Sequence, residues 1–242
     1  MVGILINKDS YMPYWKRANH YSIVNSLEGL ITNAGYHTLL VSLDLSNPSL
    51  DVIIERSLDA VFLINVKDDM FYSISSKFVE GIPLIVIDSL IEDKLFKQVT
   101  YDYQSALQLA ASTIQTPYCL IMESYNNNSL VSYIQKSLNI AVEAIFTVNT
   151  LPDLKTLLKQ NMYEHAIVIN EFIGNHVEKL NHFTSLTVIC TCSCPEILSN
   201  KTRKITFQED KSSVSFRKME DILKNVAYNT QNENKYFLKV NN

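Results

Sequence analysis

The chain has 242 residues, a hydrophobic fraction of 47% and a net charge of −4 at pH 7. That length suits one large α/β unit or two lobes of roughly 100 to 120 residues, each able to bury its own core. The weakly acidic balance excludes an electrostatic grip on DNA or on an anionic membrane through this chain. No apolar run approaches the ~20 residues that a membrane span requires.

Taken in chain order, short apolar runs alternate with helical spacing. "VGILIN" (2–7) reads as a first strand. In "YSIVNSLEGLITNAGY", Ile23, Leu27, Leu30 and Ile31 share one helical face, and Gly35 stands where a C-terminal cap belongs. The runs "HTLLVSL" (37–43), "AVFLINV" (60–66), "IPLIVID" (82–88) and "VTYDY" (99–103) follow. Beyond them come "YCLIME" (118–123), "AIFTV" (144–148), "HAIVIN" (165–170), "LTVICTC" (186–192) and "KITFQE" (204–209). The segments "SALQLAASTI", "NSLVSYIQKSL", "LPDLKTLLKQ" and "SVSFRKMEDILKNV" have helical periodicity, and "YNTQNENK" (228–235) reads as a polar loop before a last strand, "YFLKV".

Most of the strand-like runs are continuously apolar, as in strands covered on both faces. Strand alternating with helix predicts a doubly wound, parallel α/β architecture. Ten or more such strands are too many for one open sheet, so two sheets are expected, with the chain crossing between them near residues 102–104. Ligands of such folds bind outside the carboxyl ends of the strands. Asn7, Asn65, Asp88, Asp102, Glu123, Asn170 and Cys192 all stand at such ends.

Catalytic signatures are absent from the sequence. There is no G-x-S-x-G, P-loop or G-x-G-x-x-G, and five glycines leave little backbone to cradle phosphates. The five histidines have no nucleophile at a recognisable spacing, so the chain reads as a non-enzyme without a cofactor. In "CTCSC", Cys190, Cys192 and Cys194 would share a strand face, but ~6.8 Å steps are too long for one tetrahedral zinc. No metal is expected, and buried thiols are the simpler reading. The opening "MVGILINKDS" has no basic region or cleavage pattern, which predicts a cytoplasmic location.

The order of these signals resembles the effector-binding core of the LacI/GalR family of transcription regulators, which has the type I periplasmic-binding-protein fold. "SLEGLITNAGYHTLLVSLD" is similar to the family's G-I-E…A…G-Y helix and strand, and "ERSLDAVFLIN" to its R-x-V-D-G-I-I run. "GIPLIVID", "VTYDYQSALQLAASTI", "EHAIVINEFIG", "LTVICTCSC" and "KITFQEDKSSVSFRKMEDIL" follow its later motifs in order across the whole chain. The resemblance implies two lobes, residues 1–102 completed by 208–242, and 103–207. It also implies a sugar-like small-molecule effector between them, a homodimer, and DNA contact only through a helix-turn-helix that this sequence does not contain.

The candidate site residues follow from the same matches. Asp88 fits a ligand-contacting carboxylate, or else a helix N-cap. Asn170 and Glu171 match the N-D motif, with helix capping as the alternative. In the loop "DSYMPYWKR", Tyr11, Tyr14 and Trp15 offer rings to stack on a ligand, while counting back from "SLE" points to His20 instead. Asp102 either contacts ligand or ties the crossover. Cys192 stands where the family has an aspartate, and Glu209 where it has a glutamine. No arginine lies between Arg56 and Arg203, so the arginine expected at the start of the second-lobe helix is missing. These two departures leave open an interaction module that keeps the fold without a small-molecule site.

Overall fold

The structure, a computed structural model, describes residues 1–8, 12–44, 56–78, 82–224 and 234–241. Tyr11 and most of the predicted polar loop lie outside the described residues. Two parallel sheets form. The first contains β1 (Val2–Lys8), β2 (Thr38–Asp44), β3 (Ala60–Ile64), β4 (Leu84–Ile87), β5 (Lys97–Tyr101) and β11 (Lys235–Leu238), in the order β11-β5-β4-β3-β1-β2. The second contains β6 (Tyr118–Glu123), β7 (Ile145–Val148), β8 (His165–Ile169), β9 (Ser185–Ile189) and β10 (Arg203–Ile205), in the order β10-β9-β8-β6-β7.

The continuous apolar runs are buried on both faces, because alternate residues serve different layers. In β6, Leu120 and Met122 join one core while Cys119 and Ile121 join the other. In β3, Phe62 and Ile64 face one layer, and Val61 and Leu63 the opposite one. The inner core is continuous across both lobes through Tyr101, Tyr103 and Ala106.

Helix α1 (Tyr14–Asn33) covers the first sheet with Ile23, Leu27 and Ile31. Its end follows the predicted pattern: Gly35 adopts φ 84°, its N–H donates to Thr32, and Tyr36 N–H donates to the Ile31 carbonyl. This is a Schellman closure, which a residue with a Cβ enters only under strain. Helices α2 (Asp68–Ser75), α3 (Tyr103–Ala111), α4 (Asn128–Lys136), α5 (Leu151–Gln160), α6 (Glu171–Lys179) and α7 (Lys211–Leu223) complete the described layers. The helical spacing of the sequence marks α1, α3, α4, α5 and α7; α2 is too short to show a clear period.

Two expectations are corrected. β9 ends at Ile189, so "CTCSC" is a turn and its thiols are not aligned on a strand face. Among the described residues no cluster of metal-ligating side chains forms. No helix follows Asp88, so it is not an N-cap.

Helix α6 lies close on β9. A Cβ on Gly174 would come 2.7 Å from a methyl of Val188, whereas one on Gly29 in α1 would meet nothing within 4 Å. Gly174→Ala should therefore destabilise by about 1–3 kcal/mol through overpacking, and Gly29→Ala should stabilise by roughly 0.5–1 kcal/mol through helix propensity. Thermal unfolding of the two variants, followed by circular dichroism, checks this opposition.

Candidate functional site

The carboxyl ends of the two sheets face each other, and the residues there are conformationally unusual. Asn65 after β3, Asp88 after β4 and Asn170 after β8 all adopt positive φ, at 57°, 53° and 86°. Asparagine and aspartate tolerate this region better than other residues with a Cβ. Each turns the chain sharply off the carboxyl end of its strand.

The lobes are clasped by hydrogen bonds. Asp68, in the first turn of α2, accepts from the backbone N–H of Asn128 at 2.6 Å and from the Ser129 hydroxyl at 2.7 Å. A carboxylate of the first lobe thus caps the N-terminus of α4 in the second, where the helix dipole favours it. This is the helix start at which the family resemblance places an arginine. Beside it, Asn127 accepts from its own helix at Leu130 and from Leu90 of the first lobe, at 2.8 and 3.0 Å. Its amide donates to the Val66 carbonyl. Tyr101 closes the far side by donating to the Thr191 carbonyl at 2.8 Å.

Inside this clasp sits a buried polar cluster. Lys211, at the first position of α7, donates to Asp88 at 2.6 Å, with both side chains less than a tenth exposed. Its ammonium also lies 4.5 Å from the centre of the Tyr101 ring, a cation–π contact. Opposite, Glu123 ends β6 at 2% exposure and accepts from the Asn170 amide at 3.1 Å. Burial pushes its carboxyl up to about 7; the Asn170 bond, Lys16 and Lys211 pull it down, and Asp88 pushes it further up. The hydroxyls of Tyr103 and Tyr125 lie 3.2 Å apart, and burial raises both phenols well above their ordinary value. Asn7, fully buried at the end of β1, has no partner for either amide atom, and neither does Asp88 Oδ1, among the described residues.

The sequence candidates separate into three groups. Asp88, Asn170 and Cys192 belong to the buried cluster. Asn170 also caps α6, accepting from Phe172 N–H at 2.9 Å, so capping and cleft contact coexist. The Cys192 thiol is 3% exposed, and burial followed by Glu171 and Glu123 raises it well above its ordinary value, which disfavours the thiolate.

A second group is engaged structurally. Glu171 is fully buried and accepts from the N–H groups of Thr191, Cys192 and Cys194 at 2.8 to 3.0 Å, which gathers the "CTCSC" turn around it. Asp102 caps α3 through Ser105, and Glu209 binds Arg217 at 2.7 Å and Tyr236 at 2.6 Å. A third group, Tyr14, Trp15 and His20, lines a separate cavity of about 1130 Å³ beside α1. Asn7, Asp88, Glu123 and Asn170 are not among its lining residues.

Lys211, Asp68 and Asn127 were not nominated from the sequence. Asn7 and Glu123 were legible only as strand ends. Nothing local marks Lys211, since its partner lies 123 positions away in the chain.

Removing one member of a buried ion pair strands the other. Asp88→Ala or Lys211→Met alone should cost about 3–5 kcal/mol in urea unfolding, whereas the double variant Asp88→Leu/Lys211→Met should recover most of it. Glu123 sets a pH dependence. Its folded value lies above the ordinary 4.5, so the folded state holds an extra proton between the two values. Stability from this group therefore falls as pH rises from about 5 to about 7 and stays reduced above. Glu123→Gln should flatten that slope and raise Tm above the parent's in alkaline buffer.

No protein-family model and no characterised protein sequence matches the chain. Solved structures do. Transcription regulator CcpA of Lactococcus lactis superposes with a TM-score of 0.71 at 12% identity, over 100% of this chain and 97% of its own. A LacI family transcriptional regulator from Enterococcus faecium with bound ribose gives 0.66 at 12% identity, over 100% and 96%. The lac repressor dimer bound to operator and the anti-inducer ONPF gives 0.71 at 9% identity, over 99% and 78%. The two parallel sheets, their strand orders and the facing strand ends thus form the fold of LacI-family transcription regulators.

Proposed function

We propose that this chain is the effector-sensing domain of a transcription regulator, which takes a small, polar, sugar-like molecule between its two lobes. The lobes are residues 1–102 with 208–242, and residues 103–207. The observation that carries this is the buried strand-end cluster. Both amide atoms of Asn7 and one oxygen of Asp88 have no partner among the described residues. Each such buried group costs about 1–3 kcal/mol. A polyol supplies donors and acceptors together, which matches an orphaned amide and an orphaned carboxylate oxygen.

Supporting it, a regulator of the same fold is described with bound ribose, and a second one with bound sucrose and with bound glucose. The mechanism is a shift between lobe arrangements: a ligand that satisfies the cluster favours the clasped form, and a homodimer conveys the change to a DNA-reading segment. Such a domain performs no catalysis and works in the cytoplasm. No helix among the described residues is long and apolar enough to cross a membrane.

A second reading is favoured by the internal contacts themselves. Lys211 already neutralises Asp88, and Asp68 already fills the start of α4. A domain clasped by its own side chains would serve as a protein-interaction module.

The test is thermal unfolding against sugars, sugar phosphates, nucleobases and amino acids, with sedimentation of the same samples. A ligand at a hundred times its dissociation constant adds about 2.7 kcal/mol. A hit among the sugars that is lost in Asn7→Ala, with dimers sedimenting, is the expected result. Silence across the panel with dimers still present sinks the sensor and favours the interaction module.

A further inference from the structure

Charged side chains from both lobes meet at the strand-end cluster. In the first sheet β4, β3 and β1 are neighbours, so Asp88 and Asn7 stand two strand spacings apart, roughly 10 Å. Asn65 lies between them, and its amide donates to the Asn7 carbonyl. Lys211 brings an ammonium to Asp88 from α7. Glu123, at the end of β6 in the other lobe, is close enough to feel both charges.

The polar atoms divide into donors and acceptors. Lys211 carries three N–H donors, of which Asp88 Oδ2 takes one. The Asn7 amide nitrogen adds two, with no acceptor among the described residues. Glu123 adds an O–H donor in its protonated form, and burial holds its carboxyl up to about 7. On the accepting side stand Asn7 Oδ1 and Asp88 Oδ1, neither with a donor among the described residues. Hydroxyls suit those two acceptors. An ammonium, an amide N–H and a carboxyl O–H together suit a group that only accepts, and a carboxylate is such a group.

We infer that Lys211 determines the specificity of this cleft, selecting a polyhydroxy carboxylate, a sugar acid, over the neutral sugar. This rests on the effector-sensing function proposed above and names its ligand class. The ligand's carboxylate meets Lys211 and Asn7 Nδ2, and its hydroxyls donate to Asp88 Oδ1 and Asn7 Oδ1. Lys211 offsets Asp88, which otherwise repels an anion, and a protonated Glu123 withholds a second negative charge. The receiving atoms are closed to water in this arrangement, so the ligand enters when the lobes part at Asp68 and Asn127.

The same arrangement links binding to a proton. Facing Glu123 are the Asn170 amide, Lys16 of α1, Lys211 of α7 and Asp88. Tyr103, Tyr125 and Cys192 also feel its charge, and burial holds all three well above their ordinary values. The folded value of Glu123 lies above the ordinary 4.5, so the protonated form that an anion requires is present below about pH 7 and lost above it.

The full chain is titrated calorimetrically at pH 6 and pH 8 with gluconate, galacturonate, ribonate and glycerate. Each is run beside its neutral counterpart, glucose, galactose, ribose or glycerol. At pH 6 at least one acid should bind about ten times tighter than its counterpart, the worth of one charge-assisted contact. Its affinity should fall about tenfold from pH 6 to pH 8, and Glu123→Gln should flatten that fall. Lys211→Met should remove the preference for the acid, and Lys211→Arg, which keeps the charge, should retain part of it. If Lys211→Met does not fold, the pH profiles of the parent and of Glu123→Gln decide.

Acid affinity unchanged in folded Lys211→Met overturns the inference. So does acid affinity that is level or rises from pH 6 to pH 8, or a fall that persists in Glu123→Gln. Neutral sugars that bind as tightly as their acids overturn it while leaving the sensor in place. Silence of acids and neutral sugars alike overturns both.

Discussion

A carboxylate taken out of water must be met by a cation or by several N–H groups, and the junction between the two sheets is arranged around that requirement. Glu171 is met by three backbone N–H groups of the 191–194 turn. Asp88 is met by Lys211, which travels from α7 to reach it. Asp68 is met by the free N–H groups that begin α4. Glu123 differs, with the Asn170 amide as donor and a carboxyl raised to about 7. The Asp68 contact joins the two lobes, the Glu171 and Asp88 contacts each lie within one, and Asp88 Oδ1 and the Asn7 amide have no partner among the described residues.

The same contacts constrain motion. Parting the lobes would uncap α4, break the shared bonds of Asn127 and withdraw Trp15 from the second core. These changes are coupled, because α1 is one rigid helix packed on both sides of the junction. Anything that binds at this junction biases the equilibrium only by its differential affinity for the two arrangements.

The local pattern made the architecture legible. Runs such as "AVFLI" and "HAIVI" are apolar at every position because parallel strands covered by helices expose neither face. The cap at Gly35 was legible for the same kind of reason, since a left-handed residue after an apolar-periodic helix is a local matter. The site was legible only as a set of strand ends. Asp88 and Asn170 were nominated and lie in the cluster, while Glu171, Asp102 and Glu209 are engaged by partners as near as Ser105 and as far as the 191–194 turn.

The sequence by itself determined two parallel sheets, their helical covers and the row of polar residues at the strand ends, because hydrophobic periodicity and turn chemistry act over a few residues. Tertiary structure alone decided which of those polar groups are already spent. Lys211 reaches Asp88 across 123 positions, Asp68 reaches Ser129 across 61, and Tyr101 reaches Thr191 across 90. Groups at such separations meet only once the chain has folded, and no local pattern encodes that meeting.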